Sequence, residues 1–167
     1  MQSQSMEPYL NCTFECSCGR THKSLFAHYI FEPGAIGKIP ALLTQLGYTK
    51  PYLISDTHTH EIAGKQVEDV LRKAQIRFTS HVLTSPENGD LAADEHALGS
   101  IAMANDKEAD ILISVGTGTI NDLGRYFSYI TGRPFMLVAT APSMDGLVSG
   151  VAPLIFNNMK ITFPAQE

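Results

Sequence analysis

The chain has 167 residues, of which 44% are hydrophobic and 17% are charged, a balance typical of a globular domain with a buried core. Its formal net charge of -5 gives no broad basic surface, so we exclude nucleic acid as the main partner. No apolar run approaches the ~20 residues of a membrane span, and residues 1–8 lack the apolar core of a signal peptide. The composition therefore predicts a cytoplasmic protein that binds neither nucleic acid nor membranes.

The cysteines lie close together near the amino terminus, at Cys12, Cys16 and Cys18. An odd, clustered set is a poor disulfide framework, and the cytoplasm would keep these thiols reduced. Together with His22 they form a C-x3-C-x-C-x3-H pattern, and thiolates and imidazole are the ligands that zinc prefers. Because the C-x-C spacing is tighter than in most structural zinc sites, a thiol cluster without metal is the favoured interpretation and zinc the alternative.

From residue 24 onward, strand-like and helix-like segments alternate. Residues 24–31 are aromatic and β-branched and end at a Pro-Gly pair, which predicts a strand. Residues 35–46 carry apolar side chains at helical spacing and stop at Gly47, which predicts a helix. The same criteria predict strands over residues 51–55, 77–83, 109–115 and 135–139, helices over residues 60–74, 91–105 and 119–131, a turn over residues 86–90, and a hairpin over residues 153–163 that turns at Asn157-Asn158.

Strands that alternate with crossover helices predict a parallel sheet with helices on both faces. We therefore predict an α/β fold with a doubly wound, mostly parallel, Rossmann-like sheet and a carboxyl-terminal hairpin. The expected organisation is a single nucleotide-binding domain over residues 1–167, with an extension (1–23), an α/β core (24–152) and the hairpin (153–167). Ligands of such sheets bind beyond the carboxyl ends of the strands.

The strand over residues 109–115 is followed by a glycine turn, which consists of Gly116, Thr117, Gly118, Thr119 and Ile120. Glycine permits positive φ and close backbone approach, and the free amides at a helix start favour a phosphate. The full G-x-G-x-x-G pattern is absent because Asn121 occupies the third glycine position, and no acid follows about 20 residues later. The spacing favours phosphate binding over a purely structural turn.

Two further strand ends carry polar residues. Asp56 follows the strand over residues 51–55, where a carboxylate can accept hydrogen bonds from ribose hydroxyls; a helix N-cap is the favoured alternative. After the strand over residues 135–139, Asp145 is a candidate for holding a substrate hydroxyl, although a self-bonded turn is favoured from the residues alone. This last segment contains Thr140, Ala141, Pro142, Ser143, Met144, Asp145, Gly146 and Ser149.

Several runs resemble the sn-glycerol-1-phosphate dehydrogenase family: ISVGTGTINDLGRY, FMLVA, TAPSMDGLVSG, LISD and CSCGRTH. That family belongs to the wider group of iron-containing alcohol dehydrogenases, glycerol dehydrogenases and dehydroquinate synthases. The resemblance spans nearly the whole chain, and TAPSMDG points to the glycerol-1-phosphate branch. It implies an oxidoreductase of phospholipid metabolism that reduces dihydroxyacetone phosphate, a phosphorylated ketone, by hydride transfer from NADH or NADPH. It also implies a divalent metal (zinc, nickel or iron) and a homodimer.

The resemblance implies a role for each strand end. Asp56 would contact the adenosine ribose, and the glycine turn would wrap the pyrophosphate. Asp145 would bind the glycerol part of the substrate, and Ser149 would touch the cofactor. The cofactor cleft would be lined by Thr140, Ala141, Pro142 and Ser143. A carboxylate at Asp56 favours NAD, because it would repel the 2′-phosphate of NADP.

The family holds its metal with an aspartate and two histidines from a following helical domain. No such triad follows Asp145, and no histidine occurs after His96, so these ligands are expected beyond Glu167 and no catalytic residue is expected within the chain. Hydride transfer in this family needs a Lewis acid on the substrate oxygen. We therefore expect the 167-residue chain alone to bind cofactor weakly without turnover.

Three other functions stay open. One is a glycerol dehydrogenase-like polyol oxidoreductase of the same superfamily, and another is a non-catalytic nucleotide-binding module. The third is a metal-dependent hydrolase, which the H-x-H pair His58 and His60 at a strand end suggests. The hydrolase is the least favoured, because it needs ligands from later strands that the chain does not supply. If a following domain or second subunit packs near the carboxyl end, exposed apolar side chains are expected there.

Overall fold

The computed structural model describes residues 9–24, 26–85, 90–141 and 149–165. Its centre is a sheet of four parallel strands in the spatial order β4-β3-β5-β6. These strands are β3 (Pro51–Asp56), β4 (Thr79–Leu83), β5 (Ile111–Gly116) and β6 (Phe135–Ala139). Two antiparallel hairpins flank it in sequence: β1 (Cys12–Glu15) with β2 (Thr21–Ser24), and β7 (Val151–Phe156) with β8 (Met159–Pro164).

The helices connect the strands of the central sheet. A 3-10 turn (Ala35–Lys38) leads into α1 (Ile39–Leu46), which ends at Gly47 in the left-handed conformation. The short α2 (Thr57–Thr59), a π-helical segment (His60–Gly64) and α3 (Lys65–Lys73) run continuously after β3. The remaining helices of the described ranges are α4 (Glu95–Met103) and α5 (Thr119–Thr131). In these ranges, no helix has the length and apolar character that a bilayer crossing requires.

Each face of the sheet has its own apolar core, and the two follow from the side-chain alternation of the strands. On one face, Leu53 and Ile113 pack with residues of α1 and α3 such as Leu43 and Val67. The other face presents residues of the opposite parity from β3 and β5, which pack against α4 and α5. Each fully buried aliphatic side chain contributes ~1.5–3 kcal/mol. The doubly wound α/β fold is therefore confirmed.

The strand order places a switch point between β3 and β5. The chain runs from β3 outward to β4, crosses back to β5 and then runs outward to β6 in the other direction. Ile54 pairs with Ser114, so Asp56 and Gly116, each two residues further on, lie at the same level of the sheet. In doubly wound sheets the crevice at such a point is the usual place for a ligand.

Charged contacts tie together the amino-terminal ends of the strands. Asp106 Oδ2 lies 2.8 Å from Lys50 Nζ and accepts a 2.6 Å hydrogen bond from Thr79 Oγ1. Asp110 accepts backbone hydrogen bonds from Thr49 (2.6 Å) and Lys50 (3.0 Å). The hydrogen bonds from Lys50 and Thr79 hold the pKa of Asp106 below its ordinary value. These contacts connect the strands at their amino-terminal ends. The strand ends selected in the sequence analysis lie at the opposite, carboxyl-terminal end of the sheet.

The strand predicted over residues 24–31 is wrong over residues 26–31, although Ser24 is the last residue of β2. Residues 26–31 form no strand, and Tyr29 and Phe31 are 48% and 78% exposed. High β propensity reflects the fit of a side chain to a half-buried sheet surface, and in the described ranges no strand pairs with this segment. The strand pairing near the amino terminus lies earlier, in the hairpin of β1 and β2.

The predicted helices differ from the structure mainly where they begin. The helix predicted over residues 91–105 begins at Glu95, because the Asp94 carboxylate accepts a 2.8 Å hydrogen bond from the Ala97 amide. Just before it, Ala93 O accepts a 2.7 Å hydrogen bond from Ile155 N of β7. The helix predicted over residues 60–74 starts earlier, at Thr57, and includes the π-helical segment.

The carboxyl-terminal hairpin is confirmed. Its turn residues Asn157 and Asn158 have φ values of 51° and 60°, the doubly positive pattern of a type I′ turn. The hairpin lies over α5, where Tyr126 and Phe163 have ring centroids 5.2 Å apart. Of the turn predicted over residues 86–90, only Asp90 lies within the described residues.

Candidate functional site

The glycine turn lies at the carboxyl end of β5, beside the ends of β3 and β6. A Cβ atom on Gly116 would lie 2.7 Å from Ile120 Cβ, so only glycine fits where the chain turns into α5. Gly118 has φ 46° and ψ -112°, a conformation that side chains disfavour. Both glycines are therefore required by the shape of the turn.

Helix α5 begins without a side-chain cap. Gly118 is its N-cap residue and supplies no side chain, while its carbonyl accepts a 2.9 Å hydrogen bond from Asp122 N. Within the described ranges, the amides of Gly118 and Thr119 donate no hydrogen bond to a backbone or side-chain acceptor. The Thr119 hydroxyl donates instead to Leu91 O at 3.3 Å. Amides left open at a helix start, together with the helix dipole, form an anion-binding arrangement.

A third glycine, which the sequence analysis missed, holds α5 against β5. A Cβ atom on Gly124 would lie 1.8 Å from Ser114 Oγ and 3.2 Å from the ring of Phe135. Close helix–strand packing is the role of the third glycine in the G-x-G-x-x-G pattern. The signal was a glycine inside an otherwise strong helix, which costs ~1 kcal/mol unless packing requires it.

The first turns of α5 also bury polar side chains that the sequence analysis did not select. Asn121 is fully buried, and its Oδ1 accepts a 3.4 Å hydrogen bond from Arg125 Nη2. Among the described residues, Asn121 Nδ2 and Thr117 Oγ1 are buried without a hydrogen-bond partner. Burial raises the pKa of Asp122 to about 6, and the positive charges of Arg125 and Lys160 oppose this shift. Buried polar atoms that lack partners cost ~1–3 kcal/mol each, so they favour a ligand at this end of the helix.

Asp56 caps the helix that follows β3, as the alternative interpretation predicted. Its Oδ1 accepts a 2.7 Å hydrogen bond from Thr59 N, while Asp56 N donates to Thr59 Oγ1 at 3.0 Å. This capping box fixes the carboxylate at the switch point, level with Gly116. The described hydrogen bonds of the carboxylate engage Oδ1, and Oδ2 is not used by them.

The third strand end is only partly described. Thr140 is half-buried, and its amide donates to Gly116 O at 3.4 Å, which places the start of the segment beside the glycine turn. The neighbouring Ala141 is also half-buried. The Ser149 hydroxyl accepts a 3.2 Å hydrogen bond from Val151 N and so caps the start of β7. Pro142, Ser143 and Asp145 lie outside the described residues.

Comparison with known proteins identifies the family. The family model described as iron-containing alcohol dehydrogenase matches residues 30–167. The chain belongs to the iron-containing alcohol dehydrogenase family. Among solved structures of this fold, an alcohol dehydrogenase from Oenococcus oeni aligns with TM-score 0.64 and 20% identity over 80% of this chain and 40% of that chain. NADH-dependent butanol dehydrogenase A from Thermotoga maritima aligns with TM-score 0.65 and 15% identity over 83% and 41%, respectively.

Curated relatives within this family share higher sequence identity. A protein named glycerol-1-phosphate dehydrogenase [NAD(P)+] from Geobacillus stearothermophilus is 33% identical over 98% of this chain and 41% of its own length. Another with the same name, from Halalkalibacterium halodurans, is 37% identical over 91% of this chain and 38% of its own length. The chain thus spans about two fifths of the length of the curated relatives it matches.

The H-x-H pair is not arranged as a metal site in this member of the family. His58 lies in α2 and His60 in the π-helical segment, where side chains two residues apart point in different directions. His58 is exposed, whereas His60 Nε2 lies 3.1 Å from Glu68 Oε1. Although burial opposes the shift, hydrogen bonds from Ser80, His60 and Arg72 lower the pKa of Glu68. The pair therefore does not support the hydrolase.

A group of potential metal ligands lies instead in the amino-terminal hairpin. Ligand atoms of Cys16, Cys18 and His22 lie within 4.8 Å of one another, the one such group of three or more potential ligands in the described part of the chain. The C-x3-C-x-C-x3-H set is only partly assembled, because Cys12 pairs with Ser24 at the far end of the hairpin. No corresponding donor set is described at the carboxyl edge of the sheet.

Two surface cavities lie away from the glycine turn. One, of about 630 Å³, lies beside α4 and includes His81, His96 and Ser100. Burial lowers the pKa of His81, whose Nε2 lies 2.9 Å from Ser100 Oγ. The other, of about 330 Å³, lies near the amino-terminal edge of the sheet and includes Tyr48 and Arg77. Neither of these two cavities includes a residue of the glycine turn.

Proposed function

We propose that this chain is the NAD(P)-binding part of a metal-dependent sn-glycerol-1-phosphate dehydrogenase, which reduces dihydroxyacetone phosphate by hydride transfer. The uncapped start of α5 behind the glycine turn, at the switch point of the sheet, carries the proposal. The names of curated relatives that are 33% and 37% identical support the substrate and the cofactor.

The residues at the switch point fit a dinucleotide. The amides of Gly118 and Thr119 would donate to the pyrophosphate, which can approach because Gly116 and Gly118 carry no side chains. The partnerless Thr117 hydroxyl and Asn121 amide nitrogen offer further polar contacts there. The carboxylate of Asp56, fixed by its capping box, would accept hydrogen bonds from the adenosine ribose.

The segment after β6 would complete the cleft. We propose that Ser149 touches the cofactor and that Asp145 binds the glycerol part of the substrate. Further cleft contacts are proposed for Thr140, Ala141, Pro142 and Ser143. The position of Thr140 against Gly116 O supports this arrangement at the start of the segment. These assignments follow the resemblance of TAPSMDG to the family.

In the proposed reaction, the bound nicotinamide would supply the hydride, and the residues of this chain would bind and orient the cofactor. The expected divalent metal, which is zinc, nickel or iron in the whole enzyme, finds no donor set among the residues described at this edge. We propose that the residues described at this edge contribute cofactor binding, and not metal binding, to the enzyme. A single nucleotide-binding domain, a cytoplasmic location and a homodimer complete the proposal.

A charge change at Asp56 that keeps the helix cap tests the proposal. Asp56→Ser retains an N-cap side chain but loses the charged acceptor for the ribose, a contact worth ~1.5–3 kcal/mol. We expect NADH affinity to fall at least about tenfold, and the preference for NADH over NADPH to shrink. Titration calorimetry with both cofactors measures this result.

Asp94→Ser is the matched control, because Asp94 caps α4 in the same way. It should leave the affinity for both cofactors unchanged. Equal losses in the two variants, or no binding by the unchanged protein, would contradict the proposal. A longer protein that continues beyond Glu167 should reduce dihydroxyacetone phosphate in preference to free dihydroxyacetone, whereas the opposite preference would indicate a glycerol dehydrogenase.

A further inference from the structure

Three potential metal ligands lie close together at the turn of the amino-terminal hairpin: two cysteine sulfurs and one histidine nitrogen. Cys16 directly follows β1, Cys18 lies in the turn, and His22 is in β2. Cys18 Sγ lies 3.2 Å from His22 Nε2, and all three ligand atoms lie within 4.8 Å of one another. Tetrahedral zinc with ~2.3 Å bonds to sulfur and ~2.0 Å bonds to nitrogen separates its ligands by about 3.5–3.8 Å. The Cys18–His22 separation of 3.2 Å is slightly shorter than that range, and the other separations, all within 4.8 Å, are compatible with small shifts of the side chains on binding.

The backbone holds this arrangement in place. Cys16 N donates to Arg20 O at 3.0 Å, and Gly19 N donates to Cys16 O at 2.9 Å, so residues 16–20 form a closed turn. Gly19 has φ 82°, a left-handed conformation that favours glycine immediately after Cys18. The ring of His22 stacks on Phe14, with centroids 5.6 Å apart, which orients the imidazole. The ligands are therefore brought together before any ion binds.

The register of the hairpin places the remaining cysteine, Cys12, too far from the other ligands to bind the same ion. Cys12 pairs with Ser24, whereas Glu15 pairs with Thr21 next to the turn. Cys12 thus lies four residues before Cys16 on an extended strand, about 13 Å away at ~3.3 Å per residue. A single ion cannot be reached by both residues, so Cys12 offers a natural control position.

We propose that Cys16, Cys18 and His22 bind one zinc ion through two thiolate sulfurs and one imidazole nitrogen, with water as the fourth ligand. The set is soft and borderline, which suits zinc and disfavours magnesium or calcium. Binding releases the two thiol protons to solvent and leaves the oxidation state of every atom unchanged. The exposed positions of Cys18 and His22 leave room for the water.

This zinc would stabilise the hairpin. Strands of four residues with mostly exposed side chains bury little apolar surface, and isolated two-stranded hairpins are marginal in water. Thr21 Oγ1, which donates to Glu15 Oε1 at 2.6 Å, adds a side-chain contact between the two strands. The metal would therefore be structural and independent of the proposed dehydrogenase function.

Metal analysis of ligand and control variants tests the proposal. Chains purified under reducing conditions are loaded with zinc, washed and analysed by mass spectrometry for bound metal, and then titrated against a competing chelator. We expect one zinc per chain in the unchanged protein and in Cys12→Ser. Cys16→Ser and His22→Ala should each weaken binding by more than the ~10–100-fold typical of changes around the ligands.

Cobalt substitution provides a readout of the ligands themselves. Cobalt in the unchanged protein should give sulfur-to-metal charge-transfer absorption, which Cys16→Ser reduces and Cys12→Ser leaves intact. Zinc that is absent from the unchanged protein while its thiols are reduced would overturn the proposal, and so would equal losses in the Cys12 and Cys16 variants. A Cys16–Cys18 disulfide that persists under reduction would also overturn it. None of these results depends on cofactor binding.

Discussion

Helices α4 and α5 cover the same face of the sheet, yet they begin in different ways. The carboxylate of Asp94 caps α4, whereas α5 begins at Gly118 without any side-chain cap. Helix α4 buries Ala97 and Ile101 and exposes much of its surface. In α5 most positions from Ile120 to Ser128 are buried, including polar ones.

This difference separates a helix with a side-chain cap from one without a cap, which we propose binds a ligand. The Asp94 carboxylate accepts a hydrogen bond from one of the open amides at the start of α4 and places a negative charge there, which disfavours a bound anion. The open start of α5 keeps these donors available, and the close packing of the helix on β5 holds them in place. We therefore propose that α4 contributes mainly stability and that α5 contributes binding, and variants can test that division.

The largest expected difference in unfolding free energy comes from replacing one glycine by alanine in each helix. In Gly124→Ala the new Cβ would meet Ser114 Oγ at 1.8 Å, so the helix must shift or Ser114 must lose its hydrogen bond to Ile120 O. We expect a loss of about 2 kcal/mol. Gly99→Ala has no atom within 4 Å of the new Cβ and should gain up to about 1 kcal/mol from helix propensity.

Urea unfolding measures both effects, and the two variants should differ by about 3 kcal/mol. If both substitutions stabilised the protein equally, α5 would not pack on β5 as closely as described, and the distinction between the two helices would fail.

A smaller effect should come from the buried carboxylate of Asp122. Its pKa is raised from 3.8 to about 6, chiefly by burial, so folding favours the protonated form. The resulting stabilisation is present below pH ~4 and is lost as the pH rises through 6. Relative to Asp122→Asn, the unchanged protein should lose about 1–2 kcal/mol of unfolding free energy between pH 5 and 8.

Unfolding curves at several pH values in that range provide the measurement. Asp69→Asn is the control, because the Asp69 side chain on α3 is 61% exposed and lacks the burial that shifts Asp122. A constant difference in unfolding free energy between the unchanged protein and Asp122→Asn across this range would show that folding does not raise the pKa of Asp122.

The smallest effect should come from an anion at the start of α5. Pyrophosphate at a concentration equal to its dissociation constant should stabilise the protein by about 0.4 kcal/mol. Thr119→Asp places a carboxylate at the first helical position, where it competes with the anion, so the stabilisation should vanish. Thermal unfolding with and without pyrophosphate detects it. Asp94→Ser should keep the full response, and a loss in that variant would contradict an anion site confined to α5.

The features that the sequence predicted well are local in origin. The four central strands follow from continuous apolar runs, α5 from its apolar period, and the hairpin turn from Asn157-Asn158. The glycine turn and Asp56 could be selected because chain order alone places them at strand ends. Once the order of the strands was known, it followed that Asp56 and the glycine turn lie side by side at the carboxyl ends of β3 and β5.

What the sequence could not show depends on tertiary neighbours. The need for glycine at Gly124 comes from Ser114, a residue on another element. Burial of Asp122 depends on packing around α5, and the partner of His60 is Glu68 on the next helical turns. The strand predicted near Phe31 failed because propensity cannot supply a pairing partner. Pattern reasoning therefore selected a candidate site, and it could not predict the tertiary contacts around that site.

The charged contacts at the amino-terminal ends of the strands distinguish this end of the sheet from the carboxyl end, where the candidate site lies. Thr49 and Lys50 donate their amides to Asp110, while Asp106 joins Lys50 to Thr79. Local openings in proteins range from nearly free to as costly as complete unfolding. Motions that leave these contacts intact displace mainly the opposite edge, where the strands end in turns. We therefore expect local opening mainly at the carboxyl ends of the strands, with the order of the strands unchanged.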